Sequence, residues 1–203
     1  MTISFDPYTT TNTTGTFGTS SQGYIQGVAQ DDPVTRYKMA GGVVASTETY
    51  PMWGGEAITA VLPSSTSTAA GMLGATLSLA ATTEANIQGF TVFDGGLNGI
   101  ITASSQVPLY VQGSSINYYR LGSGARIPLK IDSTSASALL GASPATALYW
   151  DFDNQELTTT AGTVALDIIV LDVQLANSMT VTYDTDTGYA TWATSGYTAV
   201  VEI

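Results

Sequence analysis

With 203 residues, 44% of them hydrophobic, the chain has enough apolar surface to bury a real core as one large domain or as two small ones. Only 10% of residues are charged, against about 25% in an ordinary soluble domain, and the formal net charge is −11. That balance argues against nucleic acid and anionic membranes as partners. The absence of Cys and His removes disulfides, thiolate nucleophiles, the usual zinc sites and histidine proton shuttles.

Residues 1–29 are rich in Thr, Ser and Gly, with single apolar or aromatic residues at Ile3, Phe5, Tyr8, Phe17, Tyr24 and Ile25. The spacing fits an extended N-terminal arm that docks individual side chains, and the composition fits a flexible terminus equally well. The opening MTISFDPYTTTNTT has neither a basic n-region nor an apolar h-region, so no secretory signal is expected. No run of about 18 apolar residues occurs anywhere, so no transmembrane helix is expected. Asp31-Asp32-Pro33 reads as a turn, and Arg36-Tyr37-Lys38-Met39-Ala40 as a short strand ended by Gly41-Gly42.

Val43–Ala45 and Ala57–Leu62 read as strands flanking the loop Tyr50–Glu56, where Trp53 precedes two glycines that allow close backbone approach. Trp53 is expected to be a packing residue rather than a ligand-stacking one. Pro63 to Thr68 is a polar loop. Ala69–Ala81 is Ala- and Leu-rich, but Gly71, Gly74 and its Thr/Ser content argue against a stable helix and leave room for a short helical turn only. Ile87–Phe93 is a strand by parity, followed by a tight turn at Asp94-Gly95-Gly96 and strand candidates at Gly99–Thr102 and Leu109–Gln112.

Tyr118–Asp132 holds three of the five basic residues, Arg120, Arg126 and Lys130. Ile127, Leu129 and Ile131 alternate with Arg126, Lys130 and Asp132, which predicts a β-hairpin around Leu121–Ala125. Pro128 cannot donate to a ladder, so the second strand is expected either at a sheet edge or with its N–H side turned away from a neighbour. Ala138–Leu140 is expected to form one helical turn before Pro144.

The last fifty residues are almost continuous strand signal. Leu148–Trp150 leads into an acidic loop at Asp151–Glu156, and Val164–Val173 reads as a central strand. After Asn177-Ser178, a three-stranded meander is expected from Thr180–Tyr183, Tyr189–Ala193 and Thr198–Ile203, with turns at Asp184–Gly188 and Ser195-Gly196. The fold class is therefore all-β: a sandwich, jelly-roll-like domain or barrel over residues 30–203, preceded by the arm.

Little catalytic chemistry is available. Asp151, Asp153 and Glu156 are candidates for calcium, but they lack the loop glycine and distal Glu of a calcium-loop motif. Side-chain to backbone bonds within the turn explain them without a metal. A paired-carboxylate glycosidase needs no His, and Glu48, Glu56, Glu84 and Glu156 are available, yet nothing local places two of them across a cleft. There is no G-x-S-x-G elbow, and any nucleophilic Ser lacks a His partner. Trp150, Trp192 and the tyrosines are candidates for stacking on sugar rings. No enzyme activity and no cofactor are expected.

Several segments, in order and spacing, carry a resemblance: Arg36–Gly42; Pro51-Met52-Trp53-Gly54-Gly55-Glu56-Ala57-Ile58; Ile87-Gln88-Gly89-Phe90; Tyr119–Ile127; and an ending with Asn177–Val181, Tyr183-Asp184, Thr187–Trp192 and Ala199–Val201. Together they resemble the capsid decoration, or cement, proteins of tailed bacteriophages, over most of residues 30–203. The resemblance implies a β-rich, non-enzymatic, commonly trimeric protein on the outer surface of the virion, made in the host cytoplasm. Its implied partners are the major capsid protein and further copies of itself. Candidate assembly contacts are Phe5, Tyr8, Phe17 and Tyr24 in the arm, then Arg36, Lys38, Trp53, Arg120, Arg126 and Lys130. For Arg120 and Arg126 a structural role, salt links to acidic neighbours or to a partner subunit, is preferred over shell contact. The alternative is a carbohydrate-binding β-sandwich or a fibre or adhesin module.

Overall fold

The computed structural model describes residues 23–30, 33–62, 74–93 and 107–203. Five short strands, β1 (Ala40–Val44), β2 (Ala57–Val61), β3 (Ala75–Leu79), β4 (Gly89–Val92) and β5 (Ser115–Arg120), close into a barrel in the order β1-β3-β2-β4-β5. All pairings are antiparallel except β1 with β3. Strand alternation separates the barrel's two faces. Val44, Ile58, Leu77, Ile116 and Tyr118 fill the interior with Met52 and Tyr110, while Ala57, Phe90 and Tyr119 join a second core outside it. Every residue of β4 is buried, because both of its faces are covered.

The glycines of β1 continue the strand rather than end it. A Cβ on Gly42 would lie 2.6 Å from the Leu77 side chain, so the missing side chain lets β3 close onto β1. The strand expected at Arg36–Ala40 is corrected accordingly: Pro33–Arg36 is a short helix, α1, and pairing starts only at Ala40. Within the Ala- and Leu-rich segment read against a stable helix, Ala75–Leu79 is extended and pairs on both sides. The expected strand Leu109–Gln112 reduces to a bridge between Tyr110 and Met52. The turns at Asp31-Asp32-Pro33 and Asp94-Gly95-Gly96, the loop Pro63 to Thr68 and the strand Gly99–Thr102 fall wholly or partly outside the described residues.

The predicted hairpin over Tyr118–Asp132 is not formed. Its two strands exist, but β5 belongs to the barrel, whereas β6 (Arg126–Lys130) pairs with β10 (Tyr189–Glu202) in a separate sheet of order β6-β10-β9, where β9 is Ile169–Asp184. Between them, Gly122 (φ 80°) and Gly124 (φ 74°) adopt left-handed backbone, and the connecting amides bond elsewhere. The Leu121 N–H donates to the Gln88 carbonyl and the Gly124 N–H to that of Ile203. Pro128 does lie on an edge strand, opposite Val200.

The C-terminal meander is likewise corrected. β9 runs unbroken through Asn177-Ser178 and lies at the sheet edge, and β10 runs unbroken through Ser195-Gly196 and takes the centre. The strand expected over Val164–Val173 begins only at Ile169; Val164–Ile168 precede it as irregular chain whose Leu166 and Ile168 enter the core. What reads as a turn at Ser195-Gly196 is a bulge, with register shifts between Ala193 and Gly196 and between Gly196 and Thr198. A Cβ on Gly196 would sit 2.3 Å from Thr180 Oγ1, and the buried Ser178 and Thr198 hydroxyls bond at 2.6 Å. The turn Asp184–Gly188 forms as expected, with Asp184 Oδ1 accepting the Asp186 N–H at 2.9 Å and Gly188 at φ 72°.

Helix α2 (Ser133–Leu139) starts earlier and is longer than the single turn expected near Leu140. Asp132 caps it, with Oδ1 accepting the Thr134 and Ser135 N–H groups at 2.9 and 2.8 Å. A small hairpin of β7 (Tyr149–Asp151) and β8 (Glu156–Thr158) lies beside it. The shared core joins Phe90 and Tyr119 of the barrel to Ile127, Leu129, Val201 and Ile203 of the sheet, closed by Leu139, Trp150 and Leu157. The chain is therefore all-β: a small barrel packed on an antiparallel sheet.

Candidate functional site

The basic residues were the first candidates for partner contact, and most bond within the chain. Lys130 Nζ lies 3.0 Å from Glu156 Oε2 and donates to the Asn154 carbonyl at 3.2 Å, tying β6 to the β7–β8 hairpin. Arg126 pairs with Glu202 at 3.5 Å across β6 and β10, where both side chains are partly exposed. Lys38 Nζ donates to the Ser123 carbonyl at 2.8 Å, clamping the barrel-to-sheet crossover. Arg36 lies exposed in the last turn of α1 and Arg120 exposed at the end of β5.

The Tyr50–Glu56 loop is held between the barrel and the distal half of the β9–β10 hairpin. Trp53 is buried against Tyr183, with ring centroids 5.5 Å apart, as expected of a packing residue. Gly54 lies against the Phe93 ring, and Gly55 takes φ 88° against Gln26. Glu56 is sealed inside: Oε2 accepts the Trp53 N–H at 2.8 Å, and Oε1 has no partner among the described residues. Thr91 Oγ1 accepts the Glu56 N–H at 2.9 Å and donates to the Trp53 carbonyl at 2.6 Å. Burial pushes the Glu56 carboxyl well above the usual carboxylate range, against the pull of the Trp53 N–H and with a small push from Glu48. This site is a buried lock rather than a cleft.

The acidic turns satisfy themselves. Asp151 Oδ1 accepts the Asp153 and Asn154 N–H groups at 2.9 and 3.0 Å, and Oδ2 accepts the Asn154 amide at 2.9 Å. Glu156 is occupied by Lys130. Among the described residues, no three acidic side chains are grouped to hold a metal ion. Glu84, one of the glycosidase candidates, is buried and its Oε2 accepts the Thr163 and Val164 N–H groups at 3.1 and 3.3 Å.

Phe5, Tyr8 and Phe17 lie outside the described residues. Tyr24 is bound to the chain itself: its carbonyl accepts the Met179 N–H at 2.8 Å, and its hydroxyl donates to Asp172 Oδ2 at 2.8 Å. From there the backbone crosses to β6, where the Gly27 and Gln30 N–H groups donate to the Pro128 and Arg126 carbonyls. The segment thereby covers the unpaired edge left by Pro128.

Of the aromatic residues read as sugar-stacking candidates, Trp150 is corrected: it is only 3% exposed and its ring packs on Phe90 at 5.3 Å, so its face is unavailable. Trp192 is half-buried against Phe93 at 5.6 Å. Sequence reasoning passed over Gln26, Thr91 and Gln155, because a neutral polar residue acquires a role only through burial. Gln26 Oε1 accepts the Val181 N–H from within the core. No family model, curated protein or solved structure matches the chain.

Proposed function

We propose that the chain is a non-enzymatic structural protein of a tailed-bacteriophage virion. It binds the outer surface of the assembled capsid as a homotrimer and cements neighbouring capsid subunits against internal DNA pressure. The observation that carries this reading is that the segments responsible for the resemblance, far apart in sequence, are contact partners in the fold. Gly89 pairs with Arg120 and Ala57 with Phe90, Leu121 bonds Gln88, Trp53 packs on Tyr183, and the 199–201 segment lies beside β6. Residues that resemble a family in this arrangement are those that build the barrel, the crossover and the hairpin.

The physical logic is mass action. A protein that binds only the assembled lattice stabilises it in proportion to occupancy, over many copies. With Arg126, Lys130 and Lys38 engaged internally, the basic crossover acts as a rigid centre, and shell contact falls to the region before Gly23, to the exposed Arg36 and Arg120 and to exposed apolar positions such as Leu62, Ile169 and Leu171. The test is direct. The protein is expected to co-purify with virions, to appear as density outside the shell and to scatter light as a trimer; absence from purified particles would overturn the reading.

A further inference from the structure

Beside the β7–β8 hairpin lies an open cleft of about 770 Å³, bounded by Leu79–Thr82 on one side and by Trp150, Phe152 and Gln155 on the other. Two buried polar atoms on residues lining it lack a hydrogen-bond partner among the described residues: Trp150 Nε1, a donor, and Gln155 Oε1, an acceptor. Leaving such atoms unsatisfied costs stability, so each calls for an explanation. Two of the three non-glycine residues with positive φ among those described, Thr82 (φ 72°) and Gln155 (φ 50°), line the same cleft. For β-branched Thr82 this backbone is an outlier, and strain of that kind collects at binding sites. The third, Ala176, lies in β9 beside its bulged region.

From this arrangement we infer that the cleft is a binding site for an uncharged saccharide ring, a property separate from capsid decoration. The chemistry selects the class. The indole N–H needs an acceptor and the amide oxygen needs a donor, and a hydroxylated ring supplies both. A cation offers nothing to Trp150 Nε1, and an anion is repelled by Asp151 and Asp153 at the rim. Half-buried Phe152 adds an apolar surface for the ring's C–H face. Both orphan atoms lie beneath the surface, so binding requires the 152–155 turn to shift, and left-handed Gln155 is the strained point where it yields. The Gln155 amide nitrogen, donated to the Phe152 carbonyl at 2.9 Å, holds the turn closed until then.

The experiment uses the full chain, labelled with nitrogen-15, titrated into the millimolar range with the methyl glycosides of glucose, galactose, mannose and N-acetylglucosamine. At least one is expected to shift the Trp150 indole N–H and the Gln155 side-chain amide signals saturably. Trp150→Phe, which keeps the packing on Phe90, and Gln155→Met are each expected to weaken that glycoside about five- to tenfold, the loss of one hydrogen bond. Gln155→Met alters a turn residue and keeps the test valid should Trp150→Phe fail to fold. No saturable response to any glycoside overturns the inference, as does binding that both variants leave unchanged. A buried water bridging the two orphan atoms, with no response to sugar, would also overturn it.

Discussion

Glu56 accepts the backbone N–H of Trp53 through one carboxylate oxygen at 2.8 Å, while its other oxygen has no partner among the described residues, in a site fully closed to solvent. A carboxyl in that position is more stable protonated, and its proton affinity in the fold exceeds that in the unfolded chain. The sign follows from linkage: the contribution is complete below the unfolded value of 4.5 and declines as pH rises from there through the raised folded value. Urea midpoints are expected to fall across that window in the wild type. Glu56→Gln, which retains an acceptor for Trp53, should flatten the profile; an equally steep one would contradict the assignment.

At Asp132 the sign is opposite. Burial pushes its carboxyl up, but the bonds from Ser135 and Thr134 outweigh burial and hold it below the ordinary 3.8. Its stabilisation is therefore present above the unfolded value and lost as pH falls through the folded one. Asp132→Ala removes the cap of α2 and is expected to cost about 1 kcal/mol at neutral pH in urea unfolding, with the deficit shrinking in acid.

Gly42→Ala tests barrel closure. The added Cβ would lie 2.6–2.8 Å from Leu77 side-chain atoms and the Ala75 carbonyl oxygen, so β1 and β3 must separate. A loss of about 1–3 kcal/mol is expected by urea unfolding. An unchanged midpoint would mean that the parallel pairing has slack.

Tyr24→Phe removes the hydroxyl that anchors the entering chain to Asp172. Burial first, then Asp172, pushes that phenol up to about 12, so it remains a donor at every physiological pH. The variant is expected to lose about 0.5–1.5 kcal/mol and to be cut faster by protease near Gly23. Unchanged proteolysis would show that the backbone bonds to Met179 suffice.

The sequence by itself determined the strand-rich class, the inward face of Ile127 and Leu129 against Arg126, the Asp184–Gly188 turn, the packing role of Trp53 and the edge position of the strand that holds Pro128. Each depends on a property of one residue or on the two-residue period of a strand, both of which are local. Only the tertiary structure decided which strand each one joins. Tyr118–Asp132 carries the alternation of a hairpin, yet Tyr119 pairs with Phe90 in the barrel and Ile127 with Val201 in the sheet, because burial of both faces outweighs the short connection. The same distinction governs the glycines. Gly42 and Gly196 read as breaks because a missing side chain favours turns, but they continue long pairings because Leu77 and Thr180 occupy the vacated space. It also governs the candidate sites: Lys130 became a clamp on Glu156, and Gln155 came to line a cleft beside Trp150, through contacts that no local pattern encodes.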